Sequence, residues 1–403
     1  MAKIAYINIP AHGHTNPTLP VVRELVTTGH HVMYYNAEEF RDKIVPTGAE
    51  FCPYEKPMPT TKEISERMKS MIDASLVMIE MSENQTAWMV EELRYEQPDL
   101  IIYDSTCMWG YIASRMLNIP SICSITHFVL DGSVSHLPKL TMLRYILTAI
   151  PKLPRIIQWK RTMNQQFGKE HVGGITEYAD LNLVFTSEEF HPDNDFIDER
   201  FHFVGSSIDI TTRNDSNFKV TNDTTTVYIS LGTINNLNLA FYRTVFEAFE
   251  DYPAYFILSV GANTQINQLQ PIPDNFAVYP YVPQLQVLQQ VDVFITHGGM
   301  NSVHEGLYYG VPEIVIPQQM EQLLNGLRIR AVGAGILLGE RPPYGQVTAQ
   351  ELHSALEIIL ADDTYRTNAK YYGKTLHDAG GYKNAVEEIE AYLKSYQTDL
   401  RLA

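Results

Sequence analysis

The sequence predicts an α/β protein made of two domains, each built around a doubly wound parallel sheet. The first observation is a strand–loop–helix–strand unit at the N-terminus, with strands at Lys3–Ile9 and His31–Tyr35. The second is that the pattern starts again at Val227–Leu231, where an apolar run meets a turn at Gly232. The third is the length of 403 residues, which exceeds what one hydrophobic core usually supports.

The first helix is expected to start with Asn16 as its N-cap and Pro17 as its first residue, and to end at Gly29. Its apolar face follows the helical repeat: Leu19, Val22, Leu25 and Val26. Ligands of a doubly wound sheet bind beyond the carboxyl ends of its strands. His14, in the loop after the first strand, is at such an end.

Further elements follow in the same alternating order. In the first half we expect one or two methionine-rich helices over Lys62–Gln97 and short strands at Asp99–Tyr103, Pro120–Ile125, Leu181–Thr186 and Phe201–Val204. In the second half we expect strands at Tyr255–Val260, Phe276–Tyr279, Val291–Thr296, Val311–Ile316 and Gly335–Leu338, and helices at Phe241–Tyr252, Met300–Gly310 and Gln350–Ala361. Val386, Ile389 and Leu393 indicate an amphipathic final helix.

The predicted domain limits follow from this alternation. Residues 1–207 form the first domain and residues 227–380 the second. Residues 208–226 are rich in Ser, Thr, Asn and Asp with little periodicity, and are expected to be the linker. The final helix, within residues 381–403, is expected to pack back on the first domain.

Composition narrows the class of partner. A formal net charge of -17 argues against nucleic acid, and no basic block is present to bind an anionic membrane surface. No apolar run approaches the length that crosses a membrane, and none near the N-terminus resembles a signal segment. The three cysteines lack metal-binding spacing, which favours reduced thiols in a cytoplasmic protein.

The stretch after the predicted strand Val291–Thr296 is the strongest candidate for a ligand site. His297-Gly298-Gly299 forms a glycine turn before a helix that opens at Met300. Backbone N–H groups and the positive end of the helix dipole favour a phosphate at such a turn, and His297, Asn301 and Ser302 add side-chain donors. A purely structural alternative is that Ser302 and Glu305 form a capping box at the start of the helix.

A longer pattern surrounds this turn with its spacing intact. It runs from Tyr281-Val-Pro-Gln284 through His297-x-Gly-x-Asn-Ser-x-x-Glu305 and Gly310-Val-Pro312 to Pro317 and Glu321-Gln322. This pattern resembles the donor-binding signature of UDP-glycosyltransferases, in particular the soluble bacterial macrolide and flavonoid branch related to plant secondary-product enzymes. The resemblance implies the GT-B fold, in which two Rossmann-like domains face each other across a cleft.

The resemblance assigns roles to the donor-site residues by position. Tyr281 would stack on uracil, where a tryptophan is common, and the backbone of Val282 would meet the uracil edge. Gln284 and Gly299 belong to the same donor motif, and the turn at Gly232 and Thr233 would face the phosphates. The remaining residues would hold three parts of the donor: the diphosphate (His297, Asn301 and Ser302), the ribose (Glu305) and the sugar (Glu321 and Gln322). Plant relatives often have aspartate where Glu321 stands.

Two residues of the first half are the candidate catalytic pair. The segment Pro10-Ala-His-Gly-His14 resembles the family motif whose second histidine is the base, whereas His12 is expected to be a polar surface residue. Asp104 follows the strand Asp99–Tyr103 and resembles the aspartate that orients that base. It could also be only a cap for the next helix. The pairing requires the two side chains to lie within hydrogen-bond reach.

The acceptor pocket is predicted less sharply. Met78 and Met81 could line it or simply fill the core, since methionine adapts to irregular gaps. His127 and Met142 are further candidates for its wall.

Together these features predict an inverting transfer of a sugar, expected to be glucose, from a UDP-sugar to a hydroxyl of a small hydrophobic acceptor. No permanently bound cofactor and no metal are expected, and Asp193-Asn194-Asp195 is interpreted as a turn. The alternatives are a sugar-nucleotide epimerase or hydrolase on the same fold, and a UDP-sugar-binding protein without catalysis. A dehydrogenase is disfavoured because no Gly-x-Gly-x-x-Gly follows a strand.

Overall fold

The computed structural model of the chain describes residues 1–67, 70–129, 146–174, 176–209, 218–220, 224–232, 238–262, 264–342 and 344–402. Two candidate site residues, Met142 and Thr233, lie outside these ranges, as does much of the expected linker. The chain divides into two compact units. One consists of Met1–Ser207 with Ala379–Ala403, and the other of Ile208–Asp378.

The first unit contains a seven-stranded sheet. Its strands are β1 (Lys3–Ile7), β2 (His31–Asn36), β3 (Glu50–Pro53), β4 (Leu100–Asp104), β5 (Ser121–Ile125), β6 (Leu181–Val184) and β7 (Phe201–Phe203). They lie in the order β3-β2-β1-β4-β5-β6-β7, and all neighbours are parallel. The order changes direction at β1, where Ile7 is level with Tyr103. Asn8 and Asp104 are therefore neighbours at the carboxyl edge of the sheet, where ligands bind.

Helices cover both faces of this sheet. They are α1 (His12–Thr27), α2 (Arg41–Ile44), α3 (Thr61–Arg67), α4 (Met71–Glu96), α5 (Met108–Leu117) and α6 (Leu153–Phe167). Alternate residues of β1 enter different apolar clusters, Ile4 and Tyr6 on one face and Ala5 and Ile7 on the other. Burial on both faces explains why these strands are continuous apolar runs. The predicted methionine-rich segment forms two helices, α3 and α4.

The second unit repeats the plan with six strands. The strands are β8 (Thr226–Ser230), β9 (Tyr255–Ser259), β10 (Phe276–Tyr279), β11 (Val293–Thr296), β12 (Glu313–Val315) and β13 (Gly335–Leu337). The helices are α7 (Leu239–Phe249), α8 (Gln284–Leu288), α9 (Met300–Tyr308), α10 (Met320–Ala331), α11 (Ala349–Ala361) and α12 (Asp363–Asp378). The strand order is β10-β9-β8-β11-β12-β13, again with parallel neighbours throughout.

The last helix, α13 (Tyr382–Leu402), belongs to the first unit. Val386 and Ile389 are buried in the same apolar cluster as Val21 and Leu25 of α1. The chain enters this helix through Gly381, whose N–H donates to the carbonyl of Val204 at 2.6 Å.

The seven-stranded and six-stranded sheets, with parallel neighbours throughout, confirm the predicted α/β class with two parallel Rossmann-like sheets.

Candidate active site

His14 lies in the first turn of α1, directly beyond the carboxyl end of β1. The expected helix start at Asn16 and Pro17 is wrong, because α1 already begins at His12. Pro17 and Pro20 lie inside the helix, where the ring of each allows the helical φ but provides no amide donor. Ala11 is the N-cap, and its side chain accepts no hydrogen bond from the first turn.

The imidazole of His14 contacts the carboxylate of Asp104, with 2.7 Å between Nδ1 and Oδ2. The Asp104 side chain is fully buried at the end of β4, whereas that of His14 remains 20% exposed. Burial alone would raise the pKa of Asp104, but the charge and hydrogen bond of His14, with two hydrogen bonds from Thr106, outweigh it and keep that pKa below its ordinary value. An ionised carboxylate can only accept, so His14 carries a proton on Nδ1 and donates it to Asp104.

Two neighbours of this pair were not predicted from the sequence. Thr126 follows β5, and its Oγ1 lies 3.1 Å from Nδ1 of His14. Ser105 follows Asp104, and its Oγ lies 2.9 Å from Nε2 of His127. Both are small hydroxyl residues that directly follow a strand residue, at the carboxyl edge that holds His14. That position is the signal that could have found them.

His127 lies beside the pair, with its ring centroid 6.2 Å from that of His14. Its Nδ1 is 2.7 Å from the carbonyl oxygen of Phe128, so Nδ1 carries a proton and donates it there. Nε2 lies 2.9 Å from the hydroxyl oxygen of Ser105, so both ring nitrogens of His127 have a partner next to the candidate base.

His12 is not a simple surface residue. Its ring packs against Phe40, with 4.9 Å between centroids, and its Nδ1 lies 3.1 Å from Nζ of Lys43. Burial, followed by the charge of Lys43, lowers the pKa of His12 to about 4. His12 is therefore neutral at pH 7, and its ring contacts Lys43 of α2 and the neighbouring Phe40.

The methionines proposed for the acceptor pocket pack in the core. Met78 and Met81 are buried in the apolar cluster that also contains Met89. Met81 also lines a cavity of about 330 Å³ whose other walls include Met58 and the Arg67–Glu80 ion pair. Both methionines therefore fill the core, and their place in an acceptor pocket stays a prediction.

In the second unit, glycines from two turns lie against the ring of His297: Gly232 after β8, and Gly299 between β11 and α9. A Cβ added at Gly232 would lie 2.6 Å from Cε1 of His297, and one added at Gly299 would lie 2.6 Å from Nε2. Gly232 also has a φ of +77°, which favours glycine. Gly298 has a φ of +82°, and its carbonyl accepts a hydrogen bond of 2.8 Å from Asn325.

Burial lowers the pKa of His297 to about 4, so this ring is neutral at pH 7. The α9 helix begins just after it at Met300, with Gly299 as N-cap, and Asn301 and Ser302 lie in its first turn. The arrangement places an imidazole, two small polar side chains and the positive end of a helix dipole together. Such a cluster favours an anion.

Glu305 does not cap the helix, so the capping-box alternative is wrong. Its Oε2 accepts a 2.6 Å hydrogen bond from Nε2 of Gln284, which also lies 3.4 Å from the hydroxyl of Ser302. The hydroxyl of Tyr228 donates to Oε1 of Gln284 at 3.1 Å. Gln284 therefore connects the buried tyrosine of β8 with the carboxylate of α9, and Glu305 is held in place by its neighbours.

The other donor-site candidates differ in exposure. The ring of Tyr281 is 66% exposed, whereas Val282 is buried. Glu321 is exposed in the first turn of α10. Gln322 is buried, and its Oε1 accepts from the N–H groups of Gln318 and Gln319, at 2.7 and 3.1 Å. Gln322 thus belongs to a capping box of α10, a contribution that the sequence pattern did not indicate.

Within the described ranges, no three His, Cys, Asp or Glu side chains are grouped so that they could hold a metal ion. Asp193 and Asp195 belong to no such group. None of the helices described is both long and apolar enough to cross a membrane.

Comparison with known proteins places the chain in a family. Residues 243–377 match the model for the C-terminal domain of erythromycin biosynthesis protein CIII-like proteins. The chain is 34% identical over 391 residues to the NDP-glycosyltransferase YjiC of Bacillus subtilis (strain 168), covering 97% of each. It is 29% identical over 396 residues to the uncharacterized UDP-glucosyltransferase YojK of the same strain, covering 96% of this chain and 97% of the relative.

Solved structures agree with this placement. The crystal structure of the glycosyltransferase of kitacinnamycin superposes with a TM-score of 0.82 at 26% identity, covering 97% of this chain and 99% of that one. That of the calicheamicin glycosyltransferase gives 0.81 at 25% identity, covering 98% of both. The chain therefore belongs to the bacterial NDP-glycosyltransferases of the macrolide family, with the GT-B fold, and is an enzyme that takes its sugar from a nucleoside diphosphate.

Proposed function

We propose that the enzyme transfers glucose from UDP-glucose, with inversion, to a hydroxyl of a small hydrophobic natural product such as a flavonoid or a macrolide. The observation that carries the proposal is the 2.7 Å contact between His14 and Asp104 at the carboxyl edge of the first sheet. The description of YojK as a UDP-glucosyltransferase supports the choice of donor. The similarity to the kitacinnamycin and calicheamicin glycosyltransferases supports a natural product as acceptor.

In the proposed reaction, Nε2 of His14 takes the proton of the acceptor hydroxyl while the oxygen attacks the anomeric carbon. The new carbon–oxygen bond forms on the face opposite the diphosphate. The bond to the diphosphate breaks, and UDP leaves with its electron pair, so an α-linked donor yields a β-glycoside. Asp104 keeps the Nδ1 proton in place and stabilises the imidazolium that forms.

We propose that the second unit binds the donor. The diphosphate would lie at the start of α9, against His297, Asn301 and Ser302, with Gly232 and Gly299 beside the His297 ring. Thr233 is proposed as a further phosphate ligand because it follows Gly232 in the sequence. N–H groups that already point at the leaving diphosphate stabilise its growing charge without rearranging, and electrostatic contributions of this kind are often the largest in catalysis. A neutral His297 contributes an N–H dipole there. This cradle makes a divalent cation unnecessary in the proposed mechanism.

The remaining donor contacts are assigned by position. Uracil stacks on the exposed ring of Tyr281 and meets the backbone of Val282, and the ribose hydroxyls donate to Glu305, which Gln284 holds. Glu321 and Gln322 bind the sugar hydroxyls. Because Oε1 of Gln322 already accepts two backbone N–H groups, its contribution to the sugar would come from its amide nitrogen.

We propose that residues 1–207 bind the acceptor, with His127 as part of the wall beside the base, and that residues 208–226 link this domain to the donor domain at 227–380. Met78, Met81 and Met142 remain candidates for the acceptor-pocket wall. We also propose a cytoplasmic location, since Cys52, Cys107 and Cys123 are all free thiols.

The test is His14→Ala, assayed for transfer and for UDP binding. We expect transfer to be lost and UDP affinity to stay near that of the unaltered enzyme, because only the proton acceptor is removed. If both fell together, His14 would be a structural residue or a donor ligand. A panel of flavonoid, macrolide and lipid acceptors, each with UDP-glucose and with dTDP-glucose, tests the two substrates separately.

A further inference from the structure

Asn8 connects the end of β1 to the backbone of the candidate base. It is the first residue after β1 and is fully buried. Its amide nitrogen donates to the backbone carbonyl of His14 at 3.2 Å and to the hydroxyl of Tyr34 at 2.9 Å. Both hydrogens of the amide are therefore donated, one of them to the backbone of His14, the candidate base.

The orientation of this amide is set by its surroundings. Its oxygen accepts the N–H of Ile9 at 2.8 Å. A flipped amide would point its NH₂ group at that N–H and leave two donors facing each other. The backbone of Asn8 is fixed as well, since its N–H donates to Tyr35 at 3.2 Å and its carbonyl accepts the hydroxyl of Tyr54 at 2.7 Å. Asn8 is thus a rigid donor in a buried network.

The start of α1 depends on such an external contact. Its N-cap, Ala11, provides no side-chain acceptor for the first turn. Pro17 and Pro20 lack the N–H groups that would otherwise bond to carbonyls one turn earlier. Within the turn, the N–H groups of His14 and Thr15 donate to the carbonyl of Ala11, but neither bond fixes the turn relative to β4, which carries Asp104.

We propose that Asn8 is a positioning residue for the catalytic base: its amide holds the backbone of His14 so that the ring faces both Asp104 and the acceptor hydroxyl. The inference rests on the proposed role of His14 as base. Asn8 itself touches neither substrate nor the reacting atoms in this account. It acts by keeping the angle between β1 and the first turn of α1 constant during turnover.

The experiment compares Asn8→Leu and Asn8→Ala with Tyr54→Phe in the full-length enzyme. Leu fills the volume of Asn and so avoids a cavity, and it is the variant to measure should the alanine protein not fold. Tyr54→Phe removes the hydroxyl that donates to the carbonyl of Asn8 and leaves the contact from Asn8 to His14 in place. It is therefore a matched perturbation of the same buried network.

We expect the Asn8 variants to lower kcat roughly 10- to 100-fold, the range associated with a displacement of about 1 Å at a reacting group. KM for UDP-glucose should stay close to that of the unaltered enzyme. Tyr54→Phe should lower the melting temperature about as much as the Asn8 variants do, and should leave kcat nearly unchanged. In a series of phenols of graded acidity, the loss in the Asn8 variants should be greatest for the least acidic phenol, which depends most on the base.

An equal loss of kcat in Tyr54→Phe, or a loss independent of phenol acidity, would show that Asn8 only supports the fold and would overturn the inference. Unchanged kcat in a folded Asn8→Leu protein would also overturn the inference. In that case the proposed function would still stand, provided that His14→Ala had no activity. If His14→Ala itself kept full activity, the base assignment would fail, and this inference with it.

Discussion

A Cβ on Gly299 would lie 2.6 Å from Nε2 of His297. Gly299 has a φ of -62°, which any residue can adopt, so the backbone does not require glycine there. The histidine ring requires glycine at this position, because no heavy atom approaches a Cβ as closely as 2.6 Å without displacement. The two residues are therefore coupled sterically, at the point where we place the diphosphate.

Gly299→Ala is expected to push the His297 ring out of position and raise KM for UDP-glucose, with a smaller effect on the melting temperature. The measurement is donor kinetics together with UDP binding by calorimetry. The double variant His297→Ala/Gly299→Ala provides the control, since the added methyl has no ring to displace. We expect Gly299→Ala to have little further effect in that background. A full additional loss in the double variant would mean that Gly299 acts independently of His297.

Asp104→Asn is expected to lower kcat on the order of 10³-fold, because an amide cannot stabilise the imidazolium as a carboxylate does. KM for the donor should be unchanged. Thr126→Val removes the hydroxyl 3.1 Å from the same Nδ1 without changing the charge of the site, and should cost far less. Steady-state kinetics of both variants decide the point. Equal losses would show that Nδ1 needs hydrogen-bond partners of any kind and no negative charge.

Glu305→Gln is expected to weaken UDP binding roughly 10-fold or more, as hydrogen bonds to a charged group contribute about 1.5–3 kcal/mol. The side chain keeps its size, and its oxygen can still accept from Gln284. Calorimetry with UDP and with its 2′-deoxy analogue separates ribose recognition from other effects. The unaltered enzyme should prefer UDP, and the variant should lose most of that preference. A preserved preference would place the ribose elsewhere.

Glu313→Gln is expected to stabilise the protein at alkaline pH. Glu313 is fully buried at the start of β12, and among the described residues neither of its carboxylate oxygens has a hydrogen-bond partner. Burial raises its pKa well above the ordinary value of 4.5. The folded state therefore keeps a proton that the unfolded state releases. Stability is fully present below pH 4.5 and falls as pH rises toward the folded pKa, by at most about 1.4 kcal/mol per pH unit.

Thermal unfolding at a series of pH values measures this effect. The difference in melting temperature between Glu313→Gln and the unaltered protein should grow as pH increases. Glu247→Gln, on the exposed face of α7, is the matched control and should show no such trend. If the difference stayed constant with pH, the pKa of Glu313 would be the same in the folded and unfolded proteins, and burial would not raise it.

Several site features could be predicted from the sequence because they depend on neighbours along the chain. The apolar runs of β4 and β11 identify strands buried on both faces. Asp104, which ends β4, and His297, which follows β11, are thereby placed at the carboxyl edge. The glycine turn before α9 is likewise local. The start of α1 was predicted wrongly because its first turn is held by contacts from outside the helix, which a cap-and-proline rule cannot include.

The alternation of apolar strands with helices, and the polar residues after those strands, were determined by the sequence alone, since both follow from burial and backbone geometry over a few residues. Only the tertiary structure decided which of these residues meet. His14 and Asp104 are 90 positions apart and touch because β1 pairs with β4. The contacts of Thr126 with His14 and of Asn8 with Tyr34 emerge in the same way, because they join residues of different strands and helices whose distance in space no local pattern records.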